Sequence, residues 1–269
     1  MVSGKREVAR APFNSVVALA AAVSLAVGAF WWTITLRQER APSVQLIDGS
    51  QKLNVAPDGR ADQLRSLPAA LQQAVADALR TGRLEISADV VALKRAIPAK
   101  STLSAGQVPT LRALRPVGTA VPDGQPRFRW RPEAEATGYQ VTVIAAANGA
   151  TILSGDLFAN ATEWQPNEPL SAGESYRWEV QAFHGRELGA RSPATSEGEA
   201  RFRVLSPEQL AQWEELKRTA GSSHLALGVA DARAGLLDEA AAEFYALAVQ
   251  NPRSEIVRQL LEQLDANKR

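Results

Sequence analysis

Chemistry in a protein chain starts with the side chains that titrate, ligate or attack, and in this one they are few. There is no cysteine, and there are two histidines, His184 and His224. Disulfides, thiolate nucleophiles, iron–sulfur clusters and cysteine zinc sites are thereby excluded. A histidine-based metal centre would need carboxylate ligands, and no spacing in the chain supplies that pattern. His184 precedes Gly185 in a turn and reads as a surface-loop residue. His224 stands at a helix start and reads as packed or solvent-facing. Neither a Gly-x-Ser-x-Gly nucleophile turn nor a Gly-rich phosphate loop ending in Lys-Ser/Thr occurs. Aspartates and glutamates are plentiful, but a carboxylate pair assembled by folding is invisible in a linear reading. The expectation is a non-enzyme with no catalytic residues, no metal, no cofactor and no small-molecule substrate.

Charge offers one pattern worth following. Lysines and arginines number 30 against 29 acids, a net charge of +1, so nothing steers nucleic acid toward this chain and no nucleic-acid partner is expected. Within that balance Arg127, Arg129 and Arg131 recur at every second position. A solvated face is the plain reading of this stripe; an acidic partner or lipid headgroups is the sharper one.

The stripe belongs to Arg127–Val143, RFRWRPEAEATGYQVTV, in which Phe128 and Trp130 alternate with the arginines and Tyr139, Val141 and Val143 alternate with Gln140 and Thr142. Ser175–Phe183 answers it, with Tyr176, Trp178, Val180 and Ala182 on one phase. Successive strand residues face opposite sides, so both segments read as strands with one buried and one wet face. The aromatics lie on the apolar phase and read as core. Asn148-Gly149 between two alternating runs reads as a tight hairpin, and Thr162–Gln165 and Ala200–Leu205 add short strands. Asn160-Ala161-Thr162 is a glycosylation sequon, meaningful only in a suitable secretory pathway.

Around this β-rich centre, at 269 residues, composition allows two or three units. Residues 1–15 read as a short cytoplasmic tail. Val16–Leu36, VVALAAAVSLAVGAFWWTITL, carries no charge; as a helix of about 21 residues it would span ~31 Å, the thickness of a bilayer's hydrocarbon core. Trp31 and Trp32 near its end suit the headgroup layer, and Lys5, Arg6 and Arg10 before it favour the N-terminus inside. A cleaved signal peptide with Val27-Gly28-Ala29 as its site competes, but the apolar run continues past Ala29 to Leu36, which favours a retained anchor. Residues 43–97 read as a small α+β element. VQLID and QKLNV flank Gly49-Ser50 as a hairpin; Ser66 as cap, Pro68 in the first turn, Leu71, Val75 and Leu79 at every fourth position and Gly82 as a stop predict a helix. Its apolar stripe needs either this hairpin or another chain. Residues 98–110 read as a linker.

The β-rich centre, residues 111–204, resembles a fibronectin type III domain. The resemblance rests on Trp130 followed by Pro132, on Gly138-Tyr139-x-Val141-x-Val143, and on Leu170, Gly173, Tyr176, Trp178, Val180 and Ala182. It implies an antiparallel β-sandwich in which the Tyr176 hydroxyl bonds back to nearby backbone. Ala172 replaces the family's usual Pro before Gly173. No Arg-Gly-Asp tripeptide supports the cell-adhesion version of the fold. The fold itself implies no activity.

The C-terminal part, residues 206–267, opens with Ser206-Pro207-Glu208-Gln209 as a helix start, after which Leu210, Trp213 and Leu216 share a face. Gly221–Ser254 resembles one tetratricopeptide repeat, on Leu227-Gly228, Gly235, Glu239-Ala240, Phe244 and Pro252. His224 and Asp231 depart from the family's Trp and Tyr. Arg253–Asn267 reads as a last amphipathic helix. One repeat needs cover for its apolar face. The flanking helices are the first choice; a partner peptide lying over Leu225, Val229 and Arg233 is the second.

The sum is a multi-domain chain with an N-terminal transmembrane helix, a small α+β element, a β-sandwich and a C-terminal α-helical hairpin module. Such a chain would be a single-pass protein of a bacterial inner membrane with its domains in the periplasm, contacting the membrane and a protein partner. The expected function is a scaffold or adaptor. A membrane-bound anti-sigma-type regulator is the alternative, though Met1–Phe13 is too short to hold a sigma factor. A carbohydrate-binding envelope protein is another, which surface-exposed tryptophans would favour and buried ones disfavour.

Overall fold

A computed structural model describes residues 44–95, 111–194 and 198–268. The described part opens on a hairpin, β1 (Val44–Asp48) and β2 (Gln51–Val55), paired antiparallel from Val44 opposite Val55 to Asp48 opposite Gln51. Gly49 supplies the left-handed turn at φ 63°. Two helices follow, α1 (Ala69–Thr81) and α2 (Ala88–Arg95). The helix α1 buries Leu71, Val75, Ala78 and Leu79 on one face and ends on Gly82 in the left-handed conformation. Its N-cap is Pro68 and not Ser66, and no side chain caps it; Gln72 instead donates to the carbonyls of Arg65 and Leu67.

The nine remaining described strands make one two-layered unit. One sheet runs β3 (Arg112–Arg115), β5 (Phe128–Arg131), β8 (Glu163–Trp164). The other runs β4 (Thr119–Val121), β11 (Ala200–Val204), β9 (Ser175–His184), β6 (Gly138–Ala145), β7 (Thr151–Phe158), with β10 (Glu187–Ser192) also paired to β9. Period-two alternation places Phe128, Trp130, Tyr139, Val141, Val143, Tyr176, Trp178, Val180, Ala182 and Phe202 between the sheets, all buried. The Tyr176 hydroxyl accepts from the Ser171 N–H at 3.0 Å, and Trp178 Nε1 donates to the Pro116 carbonyl at 2.7 Å. The pairing is antiparallel throughout except β4 with β11, which is parallel.

Four helices close the chain: α3 (Pro207–Ala220), α4 (His224–Ala234), α5 (Leu237–Gln250) and α6 (Glu255–Lys268). A reciprocal capping box between Ser206 and Gln209 starts α3. Where α4 meets α5, a Cβ on Gly228 would lie 2.8 Å from the Phe244 ring, so the absent side chain is what lets the ring seat.

These helices do not stand apart from the N-terminal element. Leu46, Leu53, Leu71, Val75, Val90, Leu225, Val229, Leu236, Phe244, Leu260 and Leu264 belong to a single apolar core that also takes in Ala120 and Leu205 of the sandwich. Asp48 at the hairpin turn accepts from Ser223 Oγ at 2.5 Å and the Leu225 N–H at 3.3 Å. The Asn251 side-chain amide brackets Ile47, accepting from its N–H at 2.7 Å and donating to its carbonyl at 2.6 Å. Gln263 does the same for Leu84 at 2.6 and 3.0 Å. The sandwich is joined to this body by backbone: the Ala120 N–H donates to the Gly235 carbonyl at 2.8 Å, and the Thr119 hydroxyl accepts from the Leu237 N–H at 2.8 Å. The architecture is therefore a sandwich inserted between two halves of one helical body.

That arrangement corrects the expected fold class. Among the described residues no helix is long and apolar enough to cross a membrane. The longest have 14 residues, a rise of about 21 Å, short of the ~30 Å of a bilayer core. Val16–Leu36, the preceding tail and the 98–110 linker lie outside the described residues.

Candidate functional site

The residues that sequence patterning placed on a partner surface do not end up together. Leu225 and Val229 lie on α4 but are 0% and 2% exposed, packed in the apolar core that α4 shares with α1 and the hairpin of the same chain. The groove over α4 is thus filled from within, and an i, i+4, i+8 peptide track over Leu225, Val229 and Arg233 is not open. Arg233, one turn further on, emerges at the rim, where its Nε lies 3.2 Å from the Glu85 carboxylate and its Nη1 donates to the Ala70 carbonyl at 3.3 Å.

Arg127, Arg129 and Arg131 alternate along β5 with their side chains outward. Arg127 and Arg129 both reach the Glu163 carboxylate on β8, at 3.5 and 3.4 Å. Arg131 stands opposite Arg112 of β3. Two of the three charges are therefore partly answered within the sheet, in exposed pairs that contribute little to stability. The histidines are also paired: His224 Nδ1 lies 2.7 Å from the Glu243 carboxylate, and His184 Nδ1 3.1 Å from the Glu135 carbonyl. Among the described residues no cluster of three or more histidines and carboxylates is placed to hold a metal ion.

What the fold does build is a groove of about 850 Å³ beside the filled one. Pro68 and Ala70 at the start of α1 and Glu85–Ser87 in the following loop form one wall. Gln209, Ala211, Gln212, Trp213 and Leu216 of α3 form the facing wall, and Ala230, Arg233 and Ala234 of α4 form the floor. The lining is mostly alanine, isoleucine, leucine and indole, with carboxylates and the Arg233 guanidinium at the rim. Its size is that of a ligand pocket, but a trough of this chemistry is suited to an apolar peptide segment bearing a charge at one end.

A buried polar contact fixes the α3 wall. Trp213 Nε1 donates to Asp231 Oδ1 at 2.7 Å, and Lys217 Nζ lies 4.8 Å from the Trp213 ring centroid. Burial is the main cause that raises the Asp231 carboxyl to about 6; the Trp213 hydrogen bond opposes it, Glu243 adds to it and Lys217 opposes it. Burial likewise pushes Glu239, in the first turn of α5, to about 7, helped by Asp238 and Asp231 and opposed by its own N–H and Arg115. Sequence reasoning overlooked Asp231 and Trp213 as a pair. The available signal was a lone acid within the otherwise apolar run Leu225–Ala232.

Among the described residues no tryptophan is fully exposed. Trp130 and Trp178 are buried between the sheets, Trp213 is 8% exposed, and Trp164 is half-buried against Gly155 and Phe128.

No protein-family model and no curated protein sequence matches the chain. Among solved structures it is similar to the solution structure of the fn3 domain of human collagen alpha-1(XX) chain, at 24% identity over 40% of this chain and 94% of that one, with a TM-score of 0.28.

Proposed function

We propose that this protein is a non-enzymatic adaptor that holds a partner protein in the groove between α1, α3 and α4. In this reading the sandwich is fibronectin type III-like and α4–α5 is one tetratricopeptide-like repeat. The repeat's usual track is occupied by α1, and docking moves one wall over. The observation that carries the reading is the groove itself. It is a preformed, largely apolar trough, rimmed by Arg233, whose ion pair is with Glu85, a carboxylate 72% exposed and so replaceable by an incoming one. The uncharged run Val16–Leu36 in the sequence is the ground for placing the protein at the inner membrane of a bacterial envelope, with its folded part outside the cytoplasm. Confinement there raises the effective concentration of the groove for a membrane partner.

A photo-crosslinking residue in place of Gln212, exposed on the α3 wall, tests both parts in intact cells. The expected result is one discrete protein adduct, recovered with membranes and lost when Ala211→Arg fills the groove. Adducts that are absent, or that persist unchanged in the filled variant, would remove this groove as the docking site; adducts confined to the soluble fraction would remove the location.

A further inference from the structure

Charge on a solvated face ordinarily comes in both signs, and the larger sheet of the sandwich follows that rule. Arg177 and Arg201 both pair with Glu199, and Arg191 pairs with Glu179. The smaller sheet departs from it. Its register sets Arg112 opposite Arg131 and Arg115 opposite Arg129, and Arg127 continues the same outward phase just before β5. Five guanidiniums thus share one face, spread over roughly 13 Å along β5. Two carboxylates answer them: Glu163 lies 3.5 and 3.4 Å from Arg127 and Arg129, and Asp238 lies 3.6 Å from Arg115. Among the described residues Arg112 and Arg131 pair with no carboxylate.

Like charges directly opposite on antiparallel strands are destabilising, and β3 with β5 carries two such juxtapositions. Edge protection does not account for them. It suits Arg112 and Arg115 on the edge strand β3, but β5 is the central strand of its sheet, paired on both sides. The face is also open to water, with the Arg127 and Arg129 side chains 61% and 55% exposed. A local cost of this kind, borne on an accessible surface, is offset when a polyanion neutralises the face from outside.

We propose that the outer face of the β3–β5–β8 sheet docks on an anionic lipid surface, its guanidiniums on the headgroup phosphates. The inference rests on the membrane location proposed above and not on the groove. Phosphate is a ligand that the planar guanidinium fork binds bidentately. A bilayer presents phosphates as a plane, and a pleated face with its charges in two rows meets a plane without rearrangement. An acidic peptide fits less well, because the backbone of β5 is paired on both sides and cannot accept an added strand. Single-stranded nucleic acid calls for aromatic platforms, and the aromatic side chains of β5, Phe128 and Trp130, are buried on the opposite phase. Each arginine held near an anionic leaflet is worth on the order of fivefold in binding.

The absence of native cysteine lets a single polarity-sensitive label report docking on the full chain. Leu114→Cys carries it beside the arginine face, between Arg112 and Arg115 where the chain is 44% exposed; Thr142→Cys carries it on the outer phase of the other sheet. The chain is mixed with phosphatidylcholine vesicles, alone or with about 30% phosphatidylglycerol, at about 0.1 M salt. The Leu114 label should shift to the blue on the mixed vesicles only, and the Thr142 label on neither. Arg129→Gln with Arg131→Gln should lower the docked-to-free ratio on the order of 25-fold, while Glu163→Gln, which releases Arg127 and Arg129, should raise it on the order of fivefold. Opposite signs from neighbouring substitutions separate docking from a loss of fold. Equal shifts on both vesicles, equal shifts of both labels, or indifference to the arginine variant would overturn the proposal. So would a chain whose label ignores the mixed vesicles but shifts on a polyglutamate peptide or on DNA. Association with the neutral vesicles reads the membrane location by itself. Docking on the mixed vesicles by a chain that ignores neutral ones would support the arginine face while removing that location.

Discussion

Asp231 is 4% exposed on α4, and its main satisfaction is the indole N–H of Trp213. Its carboxyl is raised to about 6 mainly by burial, so the folded chain holds a proton that the unfolded chain has already released. Folded stability therefore falls as pH rises from about 4 to about 6, and the loss persists above that window. Glu239, raised to about 7, extends the same fall by about one more pH unit. Asp231→Asn keeps the acceptor for Trp213 and removes the charge. It should raise Tm at about pH 8 by several degrees, at ~2–4 °C per kcal/mol for a chain of this size, and leave it unchanged near pH 4. Thermal melts at the two pH values check this; equal shifts at both would mean that burial of the charge is not the cause. In the sequence Asp231 was visible as a departure from the repeat pattern. The reason for it was not, because the indole it meets sits on a different helix, 18 residues away.

At the scale of elements, legibility followed range. The hairpin β1–β2, the strands β5, β6 and β9 and the helix α1 are written in local alternation and period, with Gly49, Gly82 and Gly149 at their turns. The stripe Leu71, Val75, Leu79 announced that α1 must be covered. It did not say by what, since Leu225 and Val229 lie some 150 positions further along and nothing local couples the two. The partner track assigned to Leu225, Val229 and Arg233 failed for the same reason: the helix that fills it comes from the other end of the chain. If α1 is a structural part of the core, Leu71→Ala should cost about 2–5 kcal/mol, the usual range for emptying a fully buried leucine site. Denaturant titration followed by far-UV signal should show the whole helical body, including α3–α6, unfolding earlier in a single shifted transition. A loss under about 1 kcal/mol would mark α1 as a detachable cover.

Over the whole molecule, the sandwich interrupts a helical body whose two halves are residues 44–95 and 206–268. The Thr119 and Ala120 seam to Gly235 and Leu237 ties the insert to the second half through backbone hydrogen bonds. The sandwich keeps its own core of Trp130, Trp178 and their neighbours, so a chain ending before Ser206 should retain it. The same truncation should leave residues 44–95 without cover. Limited proteolysis is expected to cut that region within the time that spares residues 111–204, and equal resistance of both regions would refute the interrupted layout. On the ribosome this layout sets a schedule. The hairpin and α1 leave the exit tunnel before the sandwich, yet the residues that complete their packing are translated after it. Leu46, Leu53 and Leu71 must therefore wait, wet or chaperoned, through the synthesis and folding of the sandwich.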